Sequence, residues 1–148
     1  MSLKTFTIIG SGNVATHIGK ALQRQGYIIN GVFSHTLANA EQLAAALHCP
    51  ATDSISDVPE ADAFLFSVKD SALPSLASEI VKRFGKTPTY IHTAGCIPVS
   101  IFGNGATRQA VIYPLQTLSK QREIAFRTVP LFIEATDAET LASVREVS

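Results

Sequence analysis

A chain of 148 residues with 46% hydrophobic composition can bury a core of its own, and its length is that of one domain. Lys and Arg total 12 and Asp and Glu total 12, so the formal net charge is zero and no basic field draws in nucleic acid or an anionic membrane. No run approaches the roughly 18 to 20 apolar residues of a membrane span, no signal-peptide pattern opens the chain, and two cysteines, Cys49 and Cys96, make neither a disulfide framework nor a zinc pattern. These features predict a cytoplasmic protein with no nucleic acid, no membrane and no metal.

The apolar run Phe6 to Ile9 reads as a first strand and enters Gly10-Ser11-Gly12-Asn13-Val14-Ala15. A helix is predicted to leave that turn, because Val14, Ile18 and Leu22 recur at every fourth position with Ala15 and Gly19 beside them. Gly10 can bend the chain off the strand, Gly12 lets a phosphate approach the backbone, and Ala15 lets the helix lie against the sheet. The helix N-terminus then offers free N–H groups and the positive end of its dipole. A bare G-x-G-x-x-A also occurs as a ligand-free turn; the strand before it and the helix after it point to a dinucleotide pyrophosphate.

Gly26 stops the helix, and Tyr27 to Phe33 reads as the second strand. Ser34-His35-Thr36 fall where that strand ends, at the position that reads the adenosine ribose. An Asp or Glu there would accept hydrogen bonds from both ribose hydroxyls and repel a 2′-phosphate. Two hydroxyls and an imidazole able to carry a proton favour NADP(H) over NAD, although no arginine stands among them. The alternative for these residues is a polar turn in which Thr36 caps the next helix.

Leu37 to Leu47 is an alanine-rich crossover helix with Ala40, Leu43, Ala44 and Leu47 on one face. Cys49 to Thr52 has room only for a very short third strand, and Ser54 to Glu60 for a turn or short helix. Ala63 to Val68 is a continuous apolar run, the pattern of a central parallel strand covered on both faces. Ligands of open α/β sheets bind beyond the carboxyl ends of the strands, so Ser67, Val68, Lys69, Asp70 and Ser71 are expected to line the cofactor cleft. Lys69, the one cation in that loop, is a candidate catalytic residue; the alternative is a solvated loop whose Asp70 or Ser71 caps the helix Leu73 to Phe84.

Thr89 to His92 forms a fifth strand ending in Thr93-Ala94-Gly95-Cys96. His92 is the second catalytic candidate, placed to orient a substrate or move a proton, against the structural role that a histidine at a strand end more often has. Cys96 has no evident base to make it a nucleophile. Ala110 to Tyr113 reads as a sixth strand and Thr128 to Ala135, with Pro130 inside it, as a seventh. Pro114 to Arg127 is short for a parallel crossover and lacks an apolar face, so the seventh strand is expected to be antiparallel or irregular. Asp137 reads as an N-cap, with Leu141 and Val144 beginning a helical face.

Gly10 to Ala15, Ser34-His35-Thr36, Ser67 to Ser71, His92-Thr93-Ala94-Gly95 and Tyr113-Pro114-Leu115-Gln116-Thr117 together resemble a family of NADP-dependent oxidoreductases. In that family a Rossmann-like domain precedes a helical domain of unknown function (number 2520). The chain is similar, more distantly, to pyrroline-5-carboxylate reductase, ketopantoate reductase and the deazaflavin-dependent NADP reductases. The resemblance covers nearly the whole chain, and His-Thr-Ala-Gly followed by Tyr-Pro-Leu-Gln-Thr is more specific than the first turn.

The resemblance implies a Rossmann-like, doubly wound α/β fold with a mostly parallel sheet. It implies NADP(H) on Gly10, Ser11, Gly12, Asn13 and Val14 and on Ser34, His35 and Thr36. Ser67, Val68, Lys69, His92, Thr93, Ala94 and Gly95 would then lie near the nicotinamide. It further implies that residues 1–136 are the dinucleotide-binding domain, that 137–148 begin the entry to a helical domain, and that such a domain closes the cleft and forms a homodimer. The expected reaction is hydride transfer to or from a small carbonyl or imine substrate. A redox-sensing or regulatory module that holds the dinucleotide without turnover is the alternative. A methyltransferase, which usually wants an acidic residue after its second strand, is disfavoured by Ser34-His35-Thr36.

Overall fold

Strands alternate with helices along most of the chain, which forces parallel pairing: each crossover carries the chain back to the edge from which it set out. A computed structural model describes residues 3–114, 131–136 and 138–147. It contains β1 Thr5–Ile9, α1 Asn13–Arg24, β2 Ile28–Phe33, α2 Leu37–Leu47, β3 Ala51–Thr52, β4 Ala63–Phe66 and α3 Leu73–Phe84. These are followed by β5 Thr89–His92, β6 Arg108–Pro114, β7 Leu131–Ala135 and α4 Ala138–Val147. Two 3-10 turns, Ile55–Asp57 and Val99–Phe102, lie between them.

Among the described residues the seven strands make one sheet in the order β3-β2-β1-β4-β5-β6-β7, with β4 at its centre as its unbroken apolar run predicts. All pairings are parallel except the last, in which β7 runs antiparallel to β6 with Ile133 opposite Ile112. The mostly parallel sheet with an antiparallel strand toward its C-terminal end is the fold expected from the sequence.

Two apolar layers cover the sheet. On one face Phe6, Ile8 and Leu65 pack with Ile18 and Leu22 of α1, Leu43 and Leu47 of α2 and Val144 of α4. On the other Ile9, Phe64 and Phe66 pack with Leu73, Leu76 and Ile80 of α3 and with Phe102 of the second 3-10 turn. Alternate residues of β1 thus feed opposite layers, as the period of a strand requires. The first helix lies close: a Cβ at Gly19 would come within 2.9 Å of Ile8 Cδ1 and 3.0 Å of Leu47 Cδ1.

Several boundaries differ from expectation. β4 stops at Phe66, so Ser67 and Val68 belong to the following loop, although the Ser67 N–H still donates to the Ile9 carbonyl at 2.8 Å. β6 begins at Arg108, ahead of the apolar run, because its polar side chains find local partners. Arg108 donates to the Thr87 carbonyl at 2.7 Å, and the Gln109 amide donates to the Gly103 and Ala106 carbonyls, each at 3.1 Å. Thr36 occupies the N-cap position of α2 without a side-chain cap, and Ala72 rather than Asp70 or Ser71 occupies that of α3. Leu115 to Thr117, most of the connection to Arg127, Thr128 to Pro130 and Asp137 lie outside the described residues. No helix among the described residues is long and apolar enough to cross a membrane.

Candidate functional site

The chain leaves β1 toward β2 and β3 and later returns to β4 on the other side, so the connections part above the carboxyl ends of β1 and β4. Open α/β sheets bind ligands in such a crevice. Gly10 sits there at φ +118°, and a Cβ on it would lie 2.0 Å from the Ser67 carbonyl oxygen. Its N–H donates to the Phe33 carbonyl at 2.7 Å, which ties the turn to β2 as well. No side chain other than glycine's fits this position.

Gly12 is a different case. Its backbone, at φ −76° and ψ −165°, is open to any residue, and a Cβ there would have nothing within 4 Å. The fold therefore makes no demand for glycine at this position; glycine keeps clear the space in front of α1. That helix has no side-chain cap, and its first ladder bond runs from the Thr16 N–H to the Gly12 carbonyl at 3.0 Å. The N–H groups of Asn13, Val14 and Ala15 precede that bond, where a helix leaves its donors without intrahelical partners. An open cradle beside uncapped donors fits a pyrophosphate.

Ser34, at the end of β2, is brought against this turn. Its Oγ accepts from the Ser11 hydroxyl at 3.3 Å and from the Thr36 N–H at 3.4 Å, so its own proton is the one left to donate outward. The exposed His35 ring stands edge-on to Phe33 with centroids 5.5 Å apart. No carboxylate stands at 34–36, and the hydroxyls that the sequence offered at two separate places meet at one corner.

At the other end of the crevice Thr93 donates its N–H to the Phe66 carbonyl at 3.1 Å and its hydroxyl to the same oxygen at 3.3 Å. Ser67 and Val68 are half-buried beside it and Lys69 is exposed. The Lys69 carbonyl accepts from the Ala72 and Leu73 N–H groups and so shapes the entry to α3. His92 is fully buried. Its Nδ1 accepts from the Ala94 N–H at 3.1 Å, which leaves Nε2 to donate to the Pro98 carbonyl at 3.0 Å. Burial lowers its pKa, against the opposing pull of the Pro98 carbonyl, Asp70 and Glu134. This neutral imidazole has both nitrogens engaged and pins the 93–98 turn from beneath.

Tyr113, at the carboxyl end of β6, extends the same edge. It is 40% exposed, and a Cβ at Gly95 would come within 2.8 Å of its ring, so glycine seats the ring against the turn. In the sequence Tyr113 stands out only as part of the Tyr-Pro-Leu-Gln-Thr motif; the pairing of β5 with β6 is what brings it to Gly95 and into the site. Cys96 is exposed, whereas Cys49 is half-buried and burial pushes its thiol up. No group of His, Cys, Asp and Glu able to hold a metal occurs among the described residues.

A doubly wound sheet with this turn at its switch point is a dinucleotide-binding fold. A family model described as a Rossmann-like domain matches residues 2–117, and the chain belongs to that family. Among solved structures, a Bacteroides fragilis protein named as a candidate NADP oxidoreductase is 36% identical with a TM-score of 0.92, over 97% of this chain and 56% of that one. Prephenate dehydrogenase from Aquifex aeolicus, in complex with hydroxyphenyl propionate and NAD+, is 15% identical with a TM-score of 0.76, over 99% of this chain and 57% of that one. Pyrroline-5-carboxylate reductase from Streptococcus pyogenes is 17% identical with a TM-score of 0.68, over 97% of this chain and 54% of that one. The last two are alike in fold alone, and the chain spans little more than half the length of all three. No curated protein matches the sequence.

Proposed function

We propose that the chain is the NADP(H)-binding part of an oxidoreductase that moves a hydride to or from a small carbonyl or imine substrate. The observation that carries this reading is Gly12: backbone and packing would both accept a side chain there, yet the position is kept open before the uncapped end of α1. The nicotinamide supplies the hydride chemistry when bound. The chain's own part is to seat the pyrophosphate on 10–14, meet the ribose with Ser34, His35 and Thr36, and present Ser67, Val68, Lys69 and 93–95 to the reacting ring. The cytoplasm and a homodimer complete this reading.

One observation favours a module that binds without turnover: His92 has no nitrogen left for proton transfer. Following NADPH absorbance against ketoacids and cyclic imines, in a protein that joins these residues to the surfaces facing the crevice from the other side, separates the two, since the module would leave it unchanged. The central test is Gly12→Asp, which fills the cradle and adds a negative charge. We expect a folded domain that loses NADPH binding by calorimetry; unchanged affinity would remove the claim that the dinucleotide lies there.

A further inference from the structure

A cleft of about 140 Å³ opens between α1 and α2, lined by Ser11, Thr16, Lys20, Asn39, Gln42, Leu43 and Ala46. No carboxylate lines it, so its one formal charge is the Lys20 ammonium. Lys20 lies one turn beyond Thr16 on α1, and helical side chains lean toward the N-terminus of their helix. A helical turn is ~5.4 Å, a span that a lysine side chain can cover, so the amine has the reach to come level with Thr16. The Thr16 hydroxyl donates to the Gly12 carbonyl at 2.8 Å and so can only accept from the amine. At the mouth Ser11 is bonded to Ser34, which joins the cleft to the corner that faces the adenosine ribose. Asn39 supplies an amide from the first turn of α2 on the opposite wall.

We infer that this cleft seats the 2′-phosphate of NADP(H), with Lys20 as its cation and Asn39 and Ser34 as neutral donors. The inference rests on the dinucleotide reading of the Gly10 to Val14 turn and adds to it the source of specificity. The loop after β2 carries no arginine; the counter-charge comes instead from α1, in a cleft where no acid neutralises it. Lys20 is half-buried as a residue, and a cation partly withdrawn from solvent is a stronger partner for a phosphate than one in open water.

The test measures the affinities of NADPH, NADH, adenosine 2′,5′-bisphosphate and ADP by calorimetry for the wild-type chain, Lys20→Gln and Asn39→Asp. Lys20→Gln is expected to weaken NADPH and the 2′,5′-bisphosphate by about ten-fold or more and to change NADH and ADP by less than about two-fold. Asn39→Asp is an exposed substitution that leaves the core intact, and it is expected to weaken the same two ligands by repulsion. Raising salt should erode the wild-type preference for NADPH more than that of Lys20→Gln. A wild-type chain that binds NADPH and NADH alike, or a Lys20→Gln chain that weakens both equally or neither, overturns the inference and leaves the dinucleotide reading standing. A wild-type chain that binds neither dinucleotide overturns both.

Discussion

An alanine at Gly10 would have to hold φ near +118° and place its Cβ 2.0 Å from the Ser67 carbonyl oxygen, with strands on both sides that cannot yield. Strained backbone and an overpacked contact each cost about 1 to 3 kcal/mol, so Gly10→Ala is expected to lose on the order of 3 kcal/mol of stability. Gly12→Ala meets open space at an ordinary φ and should stay within about 1 kcal/mol of wild type, on the stabilising side, while weakening dinucleotide binding. Urea unfolding and NADPH titration of both variants read the two effects separately. A Gly12→Ala chain as unstable as Gly10→Ala would show that the fold, and not a ligand, requires the second glycine. The sequence made both glycines visible, because the motif's spacing reports the turn. It could not show which of them serves the fold, since that depends on Ser67, more than fifty residues away. Lys20 was invisible for the same reason: its meaning comes from α2 across the cleft.

The turn after β5 depends on a side chain buried beneath it. Strand β5 is legible as a run of apolar and β-branched residues, but for His92 at its end the sequence leaves a catalytic and a structural role both open. Its partners, Ala94 and Pro98, lie in an irregular segment without periodicity, and the 3-10 turn Val99–Phe102 that roofs it was not anticipated. The Phe102 ring lies 5.9 Å from the imidazole, centroid to centroid. Protonation would place a hydrogen on Nδ1 facing the Ala94 N–H and break that bond. Because burial depresses the folded-state pKa, the unfolded chain takes up this proton first as pH falls. The His92 contribution is therefore fully present above the ordinary imidazole value of about 6.5 and is lost as pH drops from there through the lower folded value. His92→Gln removes this titration. Unfolding free energies between pH 5 and 8 should fall toward acid more steeply for wild type than for His92→Gln, and identical slopes would show that His92 carries no such linkage. The variant should also loosen the 93–98 turn, read as faster amide exchange at Ala94.

The described residues form one wall of the proposed cofactor crevice, above the carboxyl ends of β1, β4 and β5, and the chain spans about half the length of the structures it resembles. Binding and turnover ask different things of such a wall. On the proposed reading, binding needs the phosphate turn and the ribose corner, both of which lie within 10–36. Hydride transfer also needs the substrate held in line with the nicotinamide and water kept out, and these depend on surfaces that face the crevice from the other side. Lys69 and Tyr113, two of the polar groups at the end of the crevice that we propose faces the nicotinamide, are both exposed. We therefore expect these 148 residues to bind NADPH yet reduce substrates slowly. Saturation with NADPH at about one hundred times its Kd should add about 2.7 kcal/mol of stability, visible as a rise of several degrees in the melting temperature. Under the same conditions NADPH absorbance should hold nearly steady with ketoacids or cyclic imines present. Rapid oxidation would place the catalytic groups among the residues described, with Lys69 and Tyr113 the first to substitute; no thermal shift would remove the premise that this wall suffices for binding.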